Sequence, residues 1–326
     1  MDKKIYNFID EYRAILLLLI VAFGLSLFAP NFLNAYNITS ILKGISLNAI
    51  VVIGFTLVFI IRELDLSIGS VVMLGGMLTI GIETQHGIFW AVTIASLAGI
   101  VIGFVNGYLV AKIKIHSFIV TLGMMSIVLG LMHIYSNGDS LSTENYDIAD
   151  WLDTSEIPLL PPLVIITLVI VFLSHFILTR TTWGRGFFSV GGNQETAWLA
   201  GLNKDVYIIS AFTISGLMSA LGGAIFALTL SSMPANITLA NSTLMAVLAA
   251  TIIGGTLMSG GKGSIAKSYF AVLLLGTIFN GLSLFGFSYD IQIFVNGAIL
   301  AIVVLYEAWN VNKHNLQKGQ NPKLLN

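Results

Sequence analysis

Long apolar runs dominate this sequence and leave few folds open to it. The runs are about 17 to 25 residues long, which is the length that crosses a bilayer as a helix, and the charged residues lie mostly between them. A helix in lipid satisfies its own backbone hydrogen bonds, whereas an open strand does not. Only 10% of the residues are charged, against about 25% in soluble domains. We therefore predict an all-α, polytopic bundle of transmembrane helices.

The breaks between the runs divide the chain into about ten predicted spans. Residues 1–13 form an N-terminal segment, residues 14–308 the membrane domain, and residues 309–326 a C-terminal tail. Two connections inside the membrane domain are long, at 136–158 and 180–205. The predicted spans are 14–30, 39–61, 66–83, 88–111, 117–135, 160–179, 206–230, 243–259, 266–285 and 290–308.

The charges of the connections predict how the chain is oriented. Lys and Arg concentrate in cytoplasmic loops of membrane proteins. If the N-terminus is cytoplasmic, every second connection is basic, and the opposite connections keep only Lys43. Both termini are therefore predicted to be cytoplasmic, with segment 136–158 outside. The basic residues on the cytoplasmic side would be Lys3, Lys4, Arg13, Arg62, Lys112, Lys114, Arg180, Arg185, Lys204, Lys262, Lys267, Lys313, Lys318 and Lys323, and the acidic residues of 136–158 are Asp139, Glu144, Asp147, Asp150, Asp153 and Glu156.

The junction Arg62-Glu63-Leu64-Asp65 has two interpretations. It is either a tight cytoplasmic turn or a break within the membrane whose charges are buried and paired, and the sequence leaves both open. Elsewhere, small residues recur every four positions, as Gly99, Gly103 and Gly107 and again as Ser215, Ser219 and Gly223. This spacing lets membrane helices approach closely. It fits static packing better than a moving interface.

Several amides and hydroxyls interrupt the predicted spans. A polar group in lipid costs several kcal/mol unless it is paired or faces water, so we expect these side chains to point into the bundle. They either line a path for a neutral polar solute, because amides and hydroxyls bond well to hydroxyl groups, or they join helices. Within the spans they are Asn48, Asn106, Thr121, Ser126, Asn280, Gln292 and Asn296, and the residues that we expect along a path are Asn48, Asp65, Ser67, Asn106, Thr121, Asn280, Gln292 and Asn296.

Other kinds of site are not predicted. The five histidines are scattered without metal-ligand spacing, there is no cysteine, and the net charge of −1 does not suggest nucleic acid as a partner. Residues 255–264 read GTLMSGGKGS. Although this resembles a phosphate loop, Gly263 stands where Ser or Thr is required and Thr256 where the first Gly is required. We predict a turn there, and neither a metal site nor a catalytic residue in the chain.

Segment 180–205 contains a predicted short helix. Gly191 and Gly192 can break the chain, Asn193 is a good N-cap, and Gly201 can end a helix that runs through Ala200. A short amphipathic helix outside the membrane must place its apolar face somewhere. It either docks into a groove of a soluble partner or rests on the lipid surface.

Five pieces of the sequence, in order, carry a family likeness: LDLSIGSVVMLGG (64–76), VNGYLVAKIKIHSFIVTLGMMSIVLG (105–130), GRGFFSVGGNQETAWLAGLN (184–203), IIGGTLMSGGKGS (252–264) and LGTIFNGLSLFG (275–286). With these pieces the chain resembles the membrane permease subunits of bacterial ABC importers for ribose, xylose and related monosaccharides, a family that includes the autoinducer-2 permeases. The ordered set covers most of the chain.

The resemblance implies a multi-pass permease of the bacterial plasma membrane that moves a monosaccharide or a similar neutral polyol. It implies three protein partners: an ABC ATPase subunit on the cytoplasmic side, an extracytoplasmic sugar-binding protein that could contact the acidic loop 136–158, and a second permease copy or paralogue. ATP and Mg²⁺ would be held by the ATPase, and no cofactor by this chain. The residues that would couple to the ATPase are Gly191, Gly192, Asn193, Glu195, Ala197, Leu199, Ala200 and Gly201.

The chain departs from the family pattern at two places. Arg62 and Glu63 stand where the family usually has Gly-Gly, and Leu244, Met245 and Ala246 stand where it usually has an acidic Glu-Leu-Asp triplet. The cargo is therefore expected to be less hydroxylated than ribose, or the chain to be one half of a heterodimer.

Two other functions make different predictions. A stand-alone secondary transporter of a small polar solute would show intramembrane ionisable pairs and two matching halves, each with a broken helix. A membrane-embedded enzyme would show a catalytic constellation. The sequence shows neither pattern, and it does not name the solute.

Overall fold

The structure is a computed structural model that describes residues 3–154, 157 and 159–319. Almost all of the regular structure in these residues is helical, as predicted. The helices are α1 (Lys3–Phe28), α2 (Ala35–Gly44), α3 (Ser46–Ile60), α4 (Ile68–His86), α5 (Ile88–Ala111), α6 (Ser117–Ser136), α7 (Asp147–Asp153), α8 (Pro162–Arg180), α9 (Thr182–Gly192), α10 (Gln194–Leu199), α11 (Lys204–Leu230), α12 (Ile237–Ile253), α13 (Ile265–Leu284) and α14 (Tyr289–Gly319), and the strands are β1 (Leu141–Ser142) and β2 (Ser232–Met233).

Nine segments among the described residues are long and apolar enough to cross a membrane, and each matches a predicted span. The remaining prediction, 243–259, corresponds to α12, which has 17 residues and is therefore about 25 Å long. This helix lies six residues closer to the N-terminus than predicted. The Asn236 side chain caps its start by accepting from the Thr238 backbone N–H, and Gly255, with a left-handed φ of 84°, follows its end.

The two ends of the chain are more helical than predicted. The predicted N-terminal segment 1–13 is part of α1 from Lys3 onward, with a break in helical geometry at Tyr12. Helix α14 continues past residue 308 to Gly319, so the described part of the predicted tail extends this helix. Residues 320–326, which include Lys323, and Glu156 of the acidic loop lie outside the described residues.

Helix α3 is the centre of the core. Every residue of α3 except Asn48 is buried, which is the pattern of a helix enclosed on all sides by other helices. Helices α8, α11, α12 and α13 pack against it, and α11 also packs against α4 and α5. Few of the described apolar side chains of α1 and α14 are buried, as expected of outer helices that face lipid or another membrane protein.

The repeated small residues allow these helices to pack closely, as predicted. A methyl group on Gly103 of α5 would lie 2.2 Å from the Phe212 carbonyl oxygen of α11, and one on Gly99 would lie 2.4 Å from the Gly216 carbonyl oxygen. Further along α11, a methyl group on Gly223 would lie 2.0 Å from the Val72 carbonyl oxygen of α4. Helix backbones therefore touch along both stripes.

The connections fall into two groups at opposite ends of the bundle. One group, which we call the basic end, is residues 61–67, 112–116, 181–203 and 254–264; the other, the acidic end, is residues 29–34, 87, 137–154, 159–161, 231–236 and 285–288. Contacts within each group support the grouping. At the acidic end β1 pairs antiparallel with β2, and the Thr143 N–H donates to the Ser231 carbonyl oxygen over 2.9 Å. At the basic end the Arg62 guanidinium donates to the Gly192 carbonyl oxygen.

Candidate functional site: coupling helix, buried network and cavity

The predicted short helix is present as α10. The Asn193 side-chain oxygen accepts hydrogen bonds from the backbone N–H groups of Glu195 (2.9 Å) and Thr196 (3.1 Å). Gly201 takes a left-handed φ of 79° directly after the helix, a conformation that glycine adopts without steric penalty. The cap and the stop therefore lie at the residues from which the helix was predicted.

The break before α10 differs from the prediction. Gly191 and Gly192 complete the last turn of α9, and the chain leaves the helical conformation at Asn193, with φ −154° and ψ 112°. Asn193 therefore ends one helix and begins the next. Gly191 serves another purpose, because a methyl group on it would lie 1.8 Å from the Ile60 carbonyl oxygen, whereas one on Gly192 would meet nothing within 4 Å.

The outward face of α10 is formed by a pair of large apolar side chains. Trp198 is 71% exposed and Leu199 is 79% exposed, whereas Ala197 is buried against the protein. A groove of about 1410 Å³, open to solvent, runs beside this face and is lined by residues that include Trp198, Leu199 and Lys204. Trp198 was not among the predicted coupling residues, although its size and its place just before the helix end were visible in the sequence.

The Arg62–Asp65 junction matches neither sequence interpretation in full. It is a non-helical link at the basic end between α3 and α4, with Arg62 exposed and Asp65 buried. In the part of the chain that the structure describes, no cation pairs with Asp65. Its carboxylate accepts from the Ser67 N–H (3.0 Å), the Ser67 hydroxyl (2.6 Å) and the Ser215 hydroxyl (2.8 Å).

Two acidic residues of this junction lie outside the membrane-spanning helices and have raised pKa values. Burial raises the pKa of Asp65, and the hydrogen bonds from Ser67 and Ser215 offset part of that rise. Burial also raises the pKa of Glu63, against the lowering effects of the Ser117 hydroxyl and of the nearby His116. Both carboxyl groups are therefore easier to protonate than in water.

Four of the predicted path residues belong to one buried network around this junction. The Asn106 amide donates to the Ser67 hydroxyl oxygen over 3.0 Å. The Thr121 hydroxyl donates to the Leu64 carbonyl oxygen over 3.4 Å as well as to the Ser117 carbonyl of its own helix. Together with Asp65 these side chains tie the start of α4 to α5, α6 and α11. All four are buried, the Asn106 side-chain oxygen has no hydrogen-bond partner among the described residues, and none of the four lines the cavity described next.

Three other predicted path residues line a cavity of about 650 Å³, in the half of the bundle near the acidic end. Its walls come from α2, α3, α12, α13 and α14. Its polar groups are amides and hydroxyls, and no charged side chain lines it. The lining residues are Ser40, Ile41, Gly44, Ile45, Asn48, Ala246, Val272, Leu275, Gly276, Phe279, Asn280, Ser283 and Gln292.

The three amides of the cavity differ in how they are bonded. The Asn48 side-chain oxygen is buried and has no hydrogen-bond partner among the described residues. Asn280 exchanges two hydrogen bonds with Asn37, of 3.0 and 2.8 Å. Gln292 donates to the Ser283 hydroxyl oxygen over 3.1 Å. Asn280 therefore uses both its oxygen and its nitrogen within the protein, whereas the Asn48 oxygen is unpaired in the part of the chain that the structure describes.

Two further polar residues of the spans lie elsewhere. Asn296 is buried and bonds to the Ser242 carbonyl oxygen over 3.4 Å, one turn along α14 from Gln292. Ser126 was expected to point into the bundle, and this was wrong. It is exposed, and its hydroxyl donates to the Leu122 carbonyl of its own helix over 3.4 Å, which is how a lone hydroxyl can face lipid.

Comparison with known proteins identifies the family. Residues 37–304 match the model of a family described as "Branched-chain amino acid transport system / permease component". The chain belongs to this permease family. The match runs from α2 into α14, so it includes α10, the Asp65 network and the cavity.

Individual relatives of this permease are named as sugar transport proteins. The ribose import permease protein RbsC of Escherichia coli K12 is 34% identical over 91% of this chain and 93% of its own length. RbsC of Bacillus subtilis is 31% identical over 89% and 90%. The L-arabinose ABC transporter permease protein AraH of Azospirillum brasilense is 29% identical over 96% and 92%. No solved structure matches the chain.

Proposed function

We propose that this permease is the membrane subunit of an ATP-driven importer for a monosaccharide or a similar small neutral polyol. The observation that carries the proposal is the full-length similarity to permeases named for ribose and L-arabinose. The ATPase would be a separate polypeptide that holds ATP and Mg²⁺, and this chain would supply the path through the membrane.

The character of the cavity supports a neutral, hydroxylated solute. Amides and hydroxyls both donate and accept hydrogen bonds, so they match hydroxyl groups of either polarity. Ala246 lines the cavity wall at a position where the family resemblance leads us to expect an acid. Its methyl group leaves that wall without charge. A cargo with fewer hydroxyl groups than ribose fits this wall best, and autoinducer-2 belongs among the solutes to be tested.

The placement of α10 supports a soluble partner at the basic end, which we propose faces the cytoplasm. Trp198 and Leu199 form a small apolar surface beside an open groove. Large aromatic side chains of this kind often dominate protein–protein binding. We assign this surface to the ATPase, the acidic end to the solute-binding protein, and the exposed outer helices to lipid and to a second permease chain.

The matched variants Trp198→Ala and Trp151→Ala test the assignment. Both side chains are exposed, Trp198 at the basic end and Trp151 in α7 at the acidic end. Trp198→Ala should weaken co-purification of the ATPase about tenfold or more and lower ATP-dependent uptake in vesicles, because an anchor of the docking surface is lost. Trp151→Ala should leave co-purification unchanged.

The same assay separates the competing functions. Uptake by the wild-type permease that continues at full rate without ATP or the ATPase would contradict the proposal and favour a stand-alone secondary transporter. Equal ATPase co-purification for Trp198→Ala and the wild type would move the docking surface away from α10.

A further inference from the structure

Three segments of the basic end meet at the end of α3. The segments are residues Ile60–Arg62, the last turn of α9 at Gly191–Gly192, and the α12–α13 connection at Gly260–Gly261. The Gly261 N–H donates to the Ile60 carbonyl oxygen over 2.9 Å. The Arg62 guanidinium donates to the Gly192 carbonyl oxygen. We call these seven residues, 60–62, 191–192 and 260–261, the glycine joint.

The backbones in the glycine joint touch without side chains between them. A methyl group on Gly191 would lie 1.8 Å from the Ile60 carbonyl oxygen and 2.9 Å from the Gly261 nitrogen. One on Gly261 would lie 2.7 Å from the Gly192 α-carbon. Gly261 also has a left-handed φ of 73°, which favours glycine independently. This contact accounts for the glycine at position 261 within the glycine-rich stretch 255–264.

The segments of the joint are continuous with two sets of elements. Helix α9 passes through Asn193 directly into α10. Helices α3, α12 and α13 run from the joint across the bundle, and each of them reaches the cavity, at Asn48, Ala246 and Gly276 respectively. The joint is therefore a direct backbone contact between the last turn of α9, which leads into α10, and the two segments from which α3, α12 and α13 run to the cavity.

We propose that the glycine joint transmits movement of α10 to the cavity, so that its residues position the solute path in response to the ATPase. The inference rests on the proposed function. Side chains between two elements can absorb a displacement by changing rotamer, whereas directly packed backbones are forced to move together. Energetic coupling between distant sites can be carried by a contiguous packed connection of this kind, although ensemble models describe coupling without one.

Arg62 strengthens the joint through its side chain. Its backbone is left-handed, with φ 69°. Its side chain also packs over Gly260, where a methyl group would lie 2.2 Å from the Arg62 γ-carbon. The guanidinium thereby ties the α3 end to α9 and covers the α12–α13 connection at the same time.

The test uses the complete complex of permease, ATPase and solute-binding protein in vesicles, and measures solute moved per ATP hydrolysed. Gly191→Ala inserts a methyl group into the joint. Arg62→Ala removes the hydrogen bond from the guanidinium to the Gly192 carbonyl oxygen without adding volume. Each should lower the solute moved per ATP by about fivefold or more, while ATP hydrolysis and ATPase co-purification continue. Arg62→Lys should recover part of the loss.

Gly103→Ala is the control for a general packing defect. A methyl group there is crowded to a similar degree, 2.2 Å from a carbonyl oxygen, but the contact lies between α5 and α11, away from the joint. This variant should reduce the yield of folded complex and leave solute per ATP at the wild-type ratio, because a structural role alone does not change that ratio.

The outcomes separate the proposals. A fallen ratio in folded complexes of Gly191→Ala or Arg62→Ala, with Gly103→Ala unchanged, supports the joint. Wild-type ratios in both Arg62→Ala and Gly191→Ala overturn it, and so does an equal fall in Gly103→Ala. If Gly191→Ala yields no folded complex, Arg62→Ala decides alone. Absence of ATP-dependent uptake in the wild type would instead contradict the proposed function.

Discussion

The Asn48 side chain is the single break in the burial of α3, and it faces the cavity. Its oxygen has no hydrogen-bond partner among the described residues, and we propose that it accepts a hydrogen bond from a hydroxyl group of the passing solute. Neighbouring Asn280 is already engaged by Asn37. At the scale of residues, polar groups of the spans thus divide into those that hold helices together and those that remain able to bind.

Asn48→Leu should reduce uptake because it removes that acceptor and adds apolar bulk. One lost hydrogen bond corresponds to a factor of about tenfold in apparent affinity, which initial uptake rates against solute concentration would show as a raised KM. Thr229→Val is the control, since the Thr229 hydroxyl bonds only to its own helix at Ile225. Unchanged uptake by Asn48→Leu, at equal amounts in the membrane, would remove Asn48 from the path.

At the scale of elements, the contact between α5 and α11 depends on glycine. Gly103→Ala should lower the unfolding free energy by about 1–3 kcal/mol, the range for overpacked cores, because a backbone carbonyl must move away. Gly123→Ala in α6 is the matched control, since a methyl group there meets nothing within 4 Å. It should be neutral or slightly stabilising, as alanine favours helix over glycine.

Thermal unfolding in detergent measures both glycine variants. Equal melting temperatures would mean that α5 and α11 can move apart without loss of stability, contrary to the close packing.

The spacing of Gly99, Gly103 and Gly107 in the sequence predicted that some helix would approach closely. It did not identify the partner helix, because a stripe of small residues can pack against many different helix surfaces and carries no information about which one it meets.

At the scale of the whole molecule, the grouping of the connections predicts which residues share a side of the membrane. The chain has no cysteine, so a thiol reagent can label only the single cysteine that is introduced, and the labelling shows which side of the membrane that position faces. In right-side-out vesicles, a membrane-impermeant thiol reagent should label Asp139→Cys at the acidic end and spare Thr182→Cys at the basic end. Inside-out vesicles should give the reverse, because basic connections stay cytoplasmic. Labelling of both sites from one side would contradict the arrangement.

The sequence by itself determined the class of the fold, nine of the spans and the short helix α10. These features depend on local signals: the length of an apolar run, an asparagine cap, a glycine stop. The same signals placed α12 six residues too late, because the apolar run continues to Met258 although Gly254 and Gly255 end the helix. The resemblance drawn from ordered motifs also held, since those motifs lie within residues 37–304, the part that matches the family.

Only the tertiary structure decided which polar residues belong together. The sequence grouped eight residues as one path, whereas the fold places Asp65, Ser67, Asn106 and Thr121 in a packed network near the basic end. It brings Asn48, Asn280 and Gln292 to a cavity near the acidic end. Residues 60, 191 and 261 meet for the same reason. Contacts between residues 70 to 240 positions apart depend on how whole helices pack, and no local pattern encodes that arrangement.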